Sequence, residues 1–222
     1  MKSTITATTE VGQYFHRAAQ VFDTFYDDQR TPLMRWVDRN FRRDMYERFD
    51  RTFAAIMPLE GKTVLDVGCG SGPYAVECAI RGARQVLGID LAPGMLQLAR
   101  QRAEKLNLGG VCSFAEGAFP DAAPKQQFDH AIVMGVMDYI ADKPAFLRAL
   151  ARCTRGSAVI SFPSDHWMRG TNRRIRYRMK KCPLWLYRED QIRDLMKSAG
   201  FRRVEIDKIR GAGMDFVAVG HV

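Results

Sequence analysis

Short apolar runs alternate with longer stretches of helical spacing along most of the chain. Runs of four to six residues predict buried strands at 63–67, 85–89, 111–114, 128–133 and 157–162. Prolines at 73, 93 and 144 suit the first turns of helices that follow three of these strands. A last helix at 189–199 precedes two further strands, at 201–209 and 215–221. Strands that alternate with helices in this way predict an α/β fold.

The first 58 residues carry a different pattern, with helical spacing and no predicted strand. Apolar residues recur every three or four positions over 11–28, and every fourth position from Val37 to Phe53. We therefore expect two amphipathic helices, with most of their apolar side chains in a core. The chain divides into an N-terminal helical extension, 1–58, and a larger domain, 59–222.

Residues 63–72, with the sequence TVLDVGCGSG, lie at the centre of this organisation. Glycines at 68, 70 and 72 allow a tight turn and the close approach of a ligand to the backbone. Strand, glycine turn and helix together predict a nucleotide-binding crossover, and a glycine-rich turn without a ligand is the alternative. The G-x-G-x-x-G pattern of dehydrogenases is not met, because Pro73 stands three residues after Gly70.

The run D-x-G-x-G-x-G, from Asp66 to Gly72, resembles the first motif of class I S-adenosylmethionine (SAM)-dependent methyltransferases. The resemblance covers residues 61–222 and implies SAM as the cofactor. It also implies a doubly wound, seven-stranded, mostly parallel sheet that ends in an antiparallel pair. In the family this motif surrounds the methionine part of SAM. Asp66 is therefore expected near the ammonium group, and Gly68, Cys69 and Gly70 near the carboxylate.

The resemblance assigns further cofactor contacts to the end of the second predicted strand. A carboxylate at Asp90 can accept both ribose hydroxyls. The alternative is that Asp90 caps the helix that begins near Pro93. Leu91 and Met95 are expected against the adenine.

Gly117 and Ala118 depart from the family pattern after the third strand. Relatives commonly show Gly-Asp here, and the Asp bonds the adenine amino group, but this chain has no carboxylate at position 118. Backbone N–H groups of Ala118 or Phe119, or the side chain of Glu116, are expected to take its place. The departure affects only the adenine assignment.

Residues after the fourth strand face the transferable methyl group in this family, and the loop after the fifth strand leaves its carboxyl end, where ligands bind in open α/β sheets. Met134 is expected beside the cofactor, and Asp138 or Tyr139 either orients the substrate or begins the next helix. His166 is the best candidate for a general base, because histidine titrates near neutral pH, and a loop histidine without chemistry is the alternative. Motifs of nucleic-acid base methylation, Asn/Asp-Pro-Pro-Tyr/Phe and Pro-Cys, are absent after the fourth strand.

Charge and cysteine content limit which binding partners and which cellular compartment are expected. The formal net charge is +9, and five cysteines occur without a C-x-x-C pair, so neither a disulfide framework nor a metal site is indicated. We expect a cytoplasmic protein without a signal peptide or transmembrane segment. The segment 163–188 is strongly basic and contains interleaved aromatic residues. It is predicted to be a substrate cap that recognises an anion, and a solvated helix face is the alternative.

These features predict a SAM-dependent methyltransferase that acts on an oxygen or nitrogen atom of a small, anionic substrate. An RNA or protein methyltransferase, and a SAM-binding protein without catalysis, are the alternatives. Nucleic acid is not the favoured partner, and contact of the basic segment with an anionic surface stays open. By its resemblance to small-molecule methyltransferases, the N-terminal helical extension is expected to form a lid. We expect a monomer or a weak dimer.

Overall fold

The computed structural model describes residues 43–164, 185–209 and 215–222, which form five helices and seven strands. In chain order these are α1 (Arg43–Ile56), β1 (Thr63–Val67), α2 (Pro73–Ile80), β2 (Gln85–Asp90), α3 (Pro93–Lys105), β3 (Cys112–Glu116), β4 (Phe128–Val133), α4 (Lys143–Cys153), β5 (Thr154–Phe162), α5 (Glu189–Ser198), β6 (Arg203–Lys208) and β7 (Phe216–His221). The alternation of strands and helices agrees with the prediction from sequence.

The seven strands form one sheet in the order β3-β2-β1-β4-β5-β7-β6. The first five strands in this order are parallel, whereas β7 runs antiparallel to both β5 and β6. The predicted doubly wound, mostly parallel sheet with an antiparallel end is thereby confirmed. From β1 the chain winds outward through β2 and β3, and then on the other side through β4 and β5. Ligands bind at such a switch point, outside the carboxyl ends of the strands.

Each face of the sheet has its own apolar core. All five residues of β1 are buried, and successive side chains alternate, so that Leu65 joins one core and Val64 the other. The first core includes Phe146 of α4 and Ile192 of α5, and the second includes Phe53 of α1. Burial on both faces explains why β1 reads as an apolar run rather than as an alternating strand.

The described part of the N-terminal extension, α1, packs on the sheet against β5 and β7. The ring centroids of Phe49 and Phe53 lie 4.7 Å apart, and the Phe53 ring lies 6.2 Å from that of Tyr74 in α2. The guanidinium carbon of Arg81 lies 4.4 Å from the Phe53 ring centroid. The four-residue spacing of Phe49 and Phe53 thus marks core packing. The earlier predicted helix and the proposed lid, over residues 1–42, lie outside the described residues.

Two strands are longer than their apolar patterns predict. β5 begins at Thr154, directly after α4, and the Thr154 hydroxyl donates a hydrogen bond to the Leu150 carbonyl oxygen at 2.8 Å. β3 continues to Glu116 because this residue pairs with Asp90 in the ladder between β2 and β3. Both extensions depend on partners outside the strand, which a local pattern does not report.

A substitution at Gly88 of β2 tests how closely this half of the sheet is packed. A Cβ atom at Gly88 would lie 2.7 Å from Cδ1 of Phe114 and 2.8 Å from Sγ of Cys69. Gly88→Ala is therefore expected to lower the free energy of unfolding by about 1–3 kcal/mol, the usual cost of overpacking. Urea unfolding followed by circular dichroism measures the change. Gly109→Ala is the matched control, because a Cβ atom there meets no heavy atom within 4 Å. Equal unfolding midpoints for the two variants would contradict the packing.

Candidate active site

The glycine turn after β1 lies at the carboxyl edge of the sheet, against the end of β2. The N–H groups of Gly68 and Cys69 both donate to the carbonyl oxygen of Ile89, at 2.7 and 3.1 Å. Gly68 has a φ of +72°, and a Cβ atom there would lie 2.3 Å from Cγ2 of Val136, so only glycine fits this position. Gly70 also has a positive φ, of +54°, but a Cβ atom there would meet no heavy atom within 4 Å. The turn is therefore packed at Gly68 and open at Gly70.

Asp90 joins the end of β2 to this glycine turn. Its Oδ2 atom accepts a hydrogen bond from the N–H group of Gly70 at 2.8 Å, and Oδ1 accepts from that of Ala92 at 2.9 Å. Burial raises the pKa of the Asp90 carboxyl, and the N–H groups of Ala92, Gly70 and Leu91 oppose that rise. One carboxylate thus contacts both the glycine turn and the residue that precedes α3.

Asp66 is a buried carboxylate with incomplete hydrogen bonding. It is 1% exposed, and its Oδ2 atom has no hydrogen-bond partner. Burial, followed by the negative charge of Asp90, raises the pKa of the Asp66 carboxyl to about 7, against the opposing N–H group of Ala75. Burial, followed by the charges of Asp66 and Asp90, also raises the pKa of the neighbouring Cys69 thiol well above its usual value. A positively charged ligand group beside Oδ2 would relieve the cost of this buried carboxylate.

The residues predicted to contact adenine lie at the start of α3. Met95 is buried in a small apolar cluster with Ala92, and Leu98 packs against that cluster. Leu91 is half-buried and directly follows Asp90. These side chains give the carboxyl end of β2 an apolar border beside the carboxylate.

The turn after β3 is fixed against β2 at Gly117. Its N–H group donates to the carbonyl oxygen of Asp90 at 3.0 Å, and a Cβ atom there would lie 2.4 Å from Cβ of Ala122. The Ala118 carbonyl oxygen accepts from the N–H group of Ala122 at 2.8 Å, and Ala118 is half-buried. Glu116 is exposed at the end of β3. Gly117 thus lies beside the end of β2, and Ala118 follows it in the same turn.

The loop after β4 forms the wall on the other side of the glycine turn. Met134 is half-buried, and the Thr52 hydroxyl of α1 lies 3.8 Å from its sulfur atom. The N–H group of Gly135 donates to the Ser161 hydroxyl of β5 at 2.8 Å. This bond fixes the beginning of the loop to the neighbouring strand.

Asp138 and Tyr139 lie further along the same loop. Asp138 is buried, and its carbonyl oxygen accepts a hydrogen bond from the N–H group of Trp185 at 3.0 Å, while Tyr139 is half-buried. The alternative that these residues begin the next helix is wrong. Helix α4 has Asp142 as its N-cap, and Oδ1 of Asp142 accepts from the N–H group of Ala145 at 3.0 Å.

Tyr187 and Ser161 support this loop, although the sequence analysis does not assign either residue to the site. The Tyr187 hydroxyl donates to the Met137 carbonyl oxygen at 2.9 Å, and Tyr187 is 3% exposed. Burial, followed by the charge of Asp138, raises the pKa of this hydroxyl, which keeps it protonated as a donor. Ser161 is a polar residue in an apolar strand, which is a signal that could identify it. No comparable pattern surrounds Tyr187.

His166 and most of the basic segment, residues 165–184, lie outside the described residues. Within the ranges that the structure does describe, no group of three or more His, Cys, Asp or Glu side chains could hold a metal ion. No helix in the same ranges has the length and apolarity needed to cross a membrane.

Comparisons with known sequences identify the family of the chain. A family model described as a methyltransferase domain matches residues 37–206. A ubiquinone biosynthesis O-methyltransferase of Dinoroseobacter shibae is 32% identical over 145 residues, which are 64% of this chain and 57% of that protein. One of Neisseria meningitidis serogroup C is 37% identical over 107 residues, 47% of this chain and 44% of that protein. The chain spans about half the length of the curated relatives it matches.

A solved structure extends the similarity to nearly the whole chain. Magnesium protoporphyrin IX methyltransferase from Synechocystis PCC 6803, with bound SAH, superposes with a TM-score of 0.77 at 22% identity. The superposition covers 96% of this chain and 98% of that one, and it shows a shared fold. Since the family model covers most of the chain, the chain belongs to the methyltransferase domain family of class I, SAM-dependent methyltransferases, and SAM is the cofactor of that class.

Proposed function

We propose that this protein transfers a methyl group from SAM to an oxygen or nitrogen atom of a small, anionic molecule. The observation that carries the proposal is the buried Oδ2 atom of Asp66, which lacks a hydrogen-bond partner and lies next to a glycine turn that is open at Gly70. The methionine part of SAM carries an ammonium group and a carboxylate on one carbon. It therefore offers a cation to Asp66 and an anion to the backbone N–H groups of the turn.

The second carboxylate, Asp90, is proposed to hold the ribose hydroxyls. Its two oxygens already accept N–H groups of Gly70 and Ala92. An ionised carboxylate has about four acceptor sites, so each oxygen can accept one hydroxyl in addition. Leu91 and Met95 supply the apolar border for adenine. The turn at Gly117 and Ala118 supplies its polar edge in place of the Asp that relatives carry.

The chemistry of such a site consists mainly of positioning. Bound SAM supplies a methyl group that is already activated by the positive charge on sulfur. The protein must then align the acceptor atom and keep water away. The loop after β4 suits this role because its backbone is held by Ser161 at Gly135 and by Tyr187 at Met137.

The need for a proton acceptor depends on the substrate. An amine acceptor needs only to be unprotonated, whereas a hydroxyl needs alignment or a base. Asp138 and Tyr139, in the loop after β4, and His166, after β5, are the proposed residues for this task. Asp138 is the buried one of the two residues in the loop.

The names of the relatives favour an oxygen acceptor on a small molecule. Both curated relatives are called ubiquinone biosynthesis O-methyltransferases, and the solved structure is a magnesium protoporphyrin IX methyltransferase. The net charge of +9 supports an anionic substrate. The same charge, with the basic residues between 169 and 181, is the observation that favours RNA as the second candidate.

A methyl-transfer assay separates these candidates. The purified protein is incubated with SAM and with separate pools of phenols, aromatic carboxylates, amines and RNA, and formation of S-adenosylhomocysteine is measured. We expect product with a small-molecule pool that contains anionic members. Transfer to RNA alone, with a steep decline as salt is raised, would support the second candidate instead.

Asp90→Asn is expected to weaken SAM binding by about 10- to 150-fold. The change removes charged hydrogen bonds to the ribose, worth roughly 1.5–3 kcal/mol. Isothermal titration calorimetry measures the affinity, and thermal unfolding checks the fold. Asp194→Asn is the matched control, because Asp194 is exposed on α5, away from the glycine turn, and should keep the wild-type affinity within about twofold. Wild-type affinity in a folded Asp90→Asn protein would refute the assignment.

Asp66 is expected to make SAM binding depend on pH. Its pKa of about 7 in the protein without ligand means that binding the ammonium group must displace a proton at lower pH. Affinity should therefore rise between about pH 5.5 and 7, by at most tenfold per pH unit, with proton release on binding. Calorimetry in two buffers of different ionisation enthalpy measures that release.

Asp66→Asn supplies the control, since it removes the titrating carboxyl but leaves the titration of SAM itself unchanged. The variant should bind SAM more weakly and without the proton release below pH 7. If wild type and variant showed the same pH dependence of affinity, Asp66 would not be the partner of the ammonium group.

A further inference from the structure

A second concave site lies at the amino edge of the sheet, opposite the glycine turn. A cleft of about 710 Å³ is lined by residues that begin or precede β1, β2, β4 and β5, and by the last turn of α4. Each residue of β1 rises about 3.3 Å, so the two edges of the sheet are roughly 13 Å apart along that strand. The cleft is therefore separate from the proposed SAM site.

Four cationic side chains line this cleft, namely Arg84, Lys125, Arg152 and Arg155. Among the described residues that line it, none is acidic. The neighbouring carboxylate of Asp129 lies 3.6 Å from Nε of Arg155. The group therefore keeps a formal excess of positive charge after that ion pair is counted. All four cationic residues are exposed, so their charges face an anion that enters from solvent.

Asp129 supplies one negative charge against four cations, and Thr63 binds the oxygen that does not face Arg155. The backbone N–H group and the hydroxyl of Thr63 donate to Oδ2 of Asp129 at 2.8 and 2.9 Å. Burial raises the pKa of the Asp129 carboxyl, but the Thr63 hydrogen bonds and the charge of Arg155 outweigh burial and hold the pKa below its usual value. The carboxylate is thus ionised and fixed at the rim.

Two of the three arginines, Arg155 and Arg84, have side chains that are anchored through only part of their hydrogen-bonding capacity. Arg155 donates from Nη2 to the Gln127 carbonyl oxygen at 2.9 Å, and Arg84 donates from Nε to the Gly61 carbonyl oxygen at 3.0 Å. The Gln127 side chain donates to the Arg152 carbonyl oxygen at 3.1 Å. A guanidinium group has five N–H donors, so each anchored arginine keeps donors for a ligand. Anchoring also reduces the entropy that a ligand would remove.

Ordinary structural roles account for only part of this charge. Arg152 lies in the last turn of α4, where a cation stabilises the helix dipole. Lys125 is exposed, and within the described part of the chain it makes no hydrogen bond or ion pair. Cations that repel one another around a cleft are stabilised together by an anion.

We propose that the amino-edge cleft binds a small ligand with two or more phosphate groups, at a site distinct from that of methyl transfer. Its volume falls within the range of about 300–1,000 Å³ that small-molecule sites occupy. Arginine forks match phosphate oxygens in pairs, and a multiply charged anion matches the excess of cations better than a single carboxylate. The source of the phosphates is either a soluble polyphosphate compound or a phospholipid headgroup.

The test uses sodium tripolyphosphate as the probe, with isothermal titration calorimetry in 150 mM salt, about the physiological ionic strength. We expect saturable binding of one tripolyphosphate per chain. The variant Lys125→Gln/Arg152→Gln should weaken this binding at least tenfold. The control Lys105→Gln/Lys197→Gln removes the same charge from exposed residues outside the cleft and should change the affinity less than twofold. Thermal unfolding of both variants shows whether the fold is kept.

Two outcomes would overturn the proposal. One is the absence of saturable binding to wild type at 1 mM probe, about the weakest affinity at which such a site would be occupied in a cell. The other is equal weakening in the two double variants, which would show non-specific attraction to the total charge. SAM titration is carried out in parallel, and its result bears on the proposed methyl transfer alone.

Vesicles of phosphatidylcholine with about 20% cardiolipin, an anionic lipid whose headgroup carries two phosphates, identify the source of the phosphates. The site binds a lipid headgroup if three results are obtained together. The control variant co-sediments with the vesicles, the cleft variant does not, and tripolyphosphate competes with the vesicles for the wild-type protein. The site binds a soluble ligand if tripolyphosphate binds to it but the two variants co-sediment with the vesicles to the same extent.

Discussion

The contact between the glycine turn and the end of β2 is the constraint on which the candidate active site depends. Glycines that adopt positive φ lose more conformational freedom on folding than other residues, so the turn needs fixed partners. The Ile89 carbonyl oxygen accepts two N–H groups of the turn, and Asp90 accepts a third from Gly70. These bonds bring the end of β2 next to the end of β1. They also place the carboxylates of Asp66 and Asp90 close enough for one charge to raise the pKa of the other.

The two proposed ligand sites lie at opposite edges of the sheet because of its parallel topology. Parallel strands direct all their carboxyl ends to one edge and all their amino ends to the other. Asp66 and Asp90 lie near the ends of β1 and β2, whereas Arg84 and Arg155 lie near the beginnings of β2 and β5. The ammonium group of SAM is therefore expected beside the two carboxylates at one edge, and the proposed phosphates beside the arginines at the other.

The strands and the position of the candidate site could be predicted because each depends on residues that are close together in the sequence. Five apolar runs marked the parallel strands, and the spacing of Asp66 and the glycines marked the switch point. The supports of the site could not be predicted in the same way. The bond from Gly135 to Ser161 joins residues that are 26 positions apart, and the bond from Tyr187 to Met137 joins residues 50 apart. Contacts between residues so far apart produce no periodic pattern of apolar and polar residues that could reveal them.

The basic cleft was also invisible in the sequence, for a related reason. The run of cations between residues 169 and 181 is evident from the sequence because these charges lie close together in the chain. The cations that line the cleft come from three places far apart in the sequence, and the parallel topology brings them to one edge. These places are Arg84, Lys125 and the neighbouring pair Arg152 and Arg155. A contiguous run of charges can be recognised in the sequence. Charges that are brought together by folding can be recognised only from the structure.

The unsatisfied carboxylate of Asp66 couples the stability of the fold to its proposed function. The pKa of Asp66 is about 7 in the folded chain, compared with about 3.9 in an unfolded chain. The folded state therefore holds this proton more tightly, and the resulting stability is complete below pH 4 and lost as pH rises through 7. Near neutral pH the ionised carboxyl destabilises the chain without ligand, and an ammonium group removes that penalty. A ligand that binds only the folded state stabilises it. Bound SAM would therefore offset the loss in the free energy of unfolding that the ionised Asp66 causes.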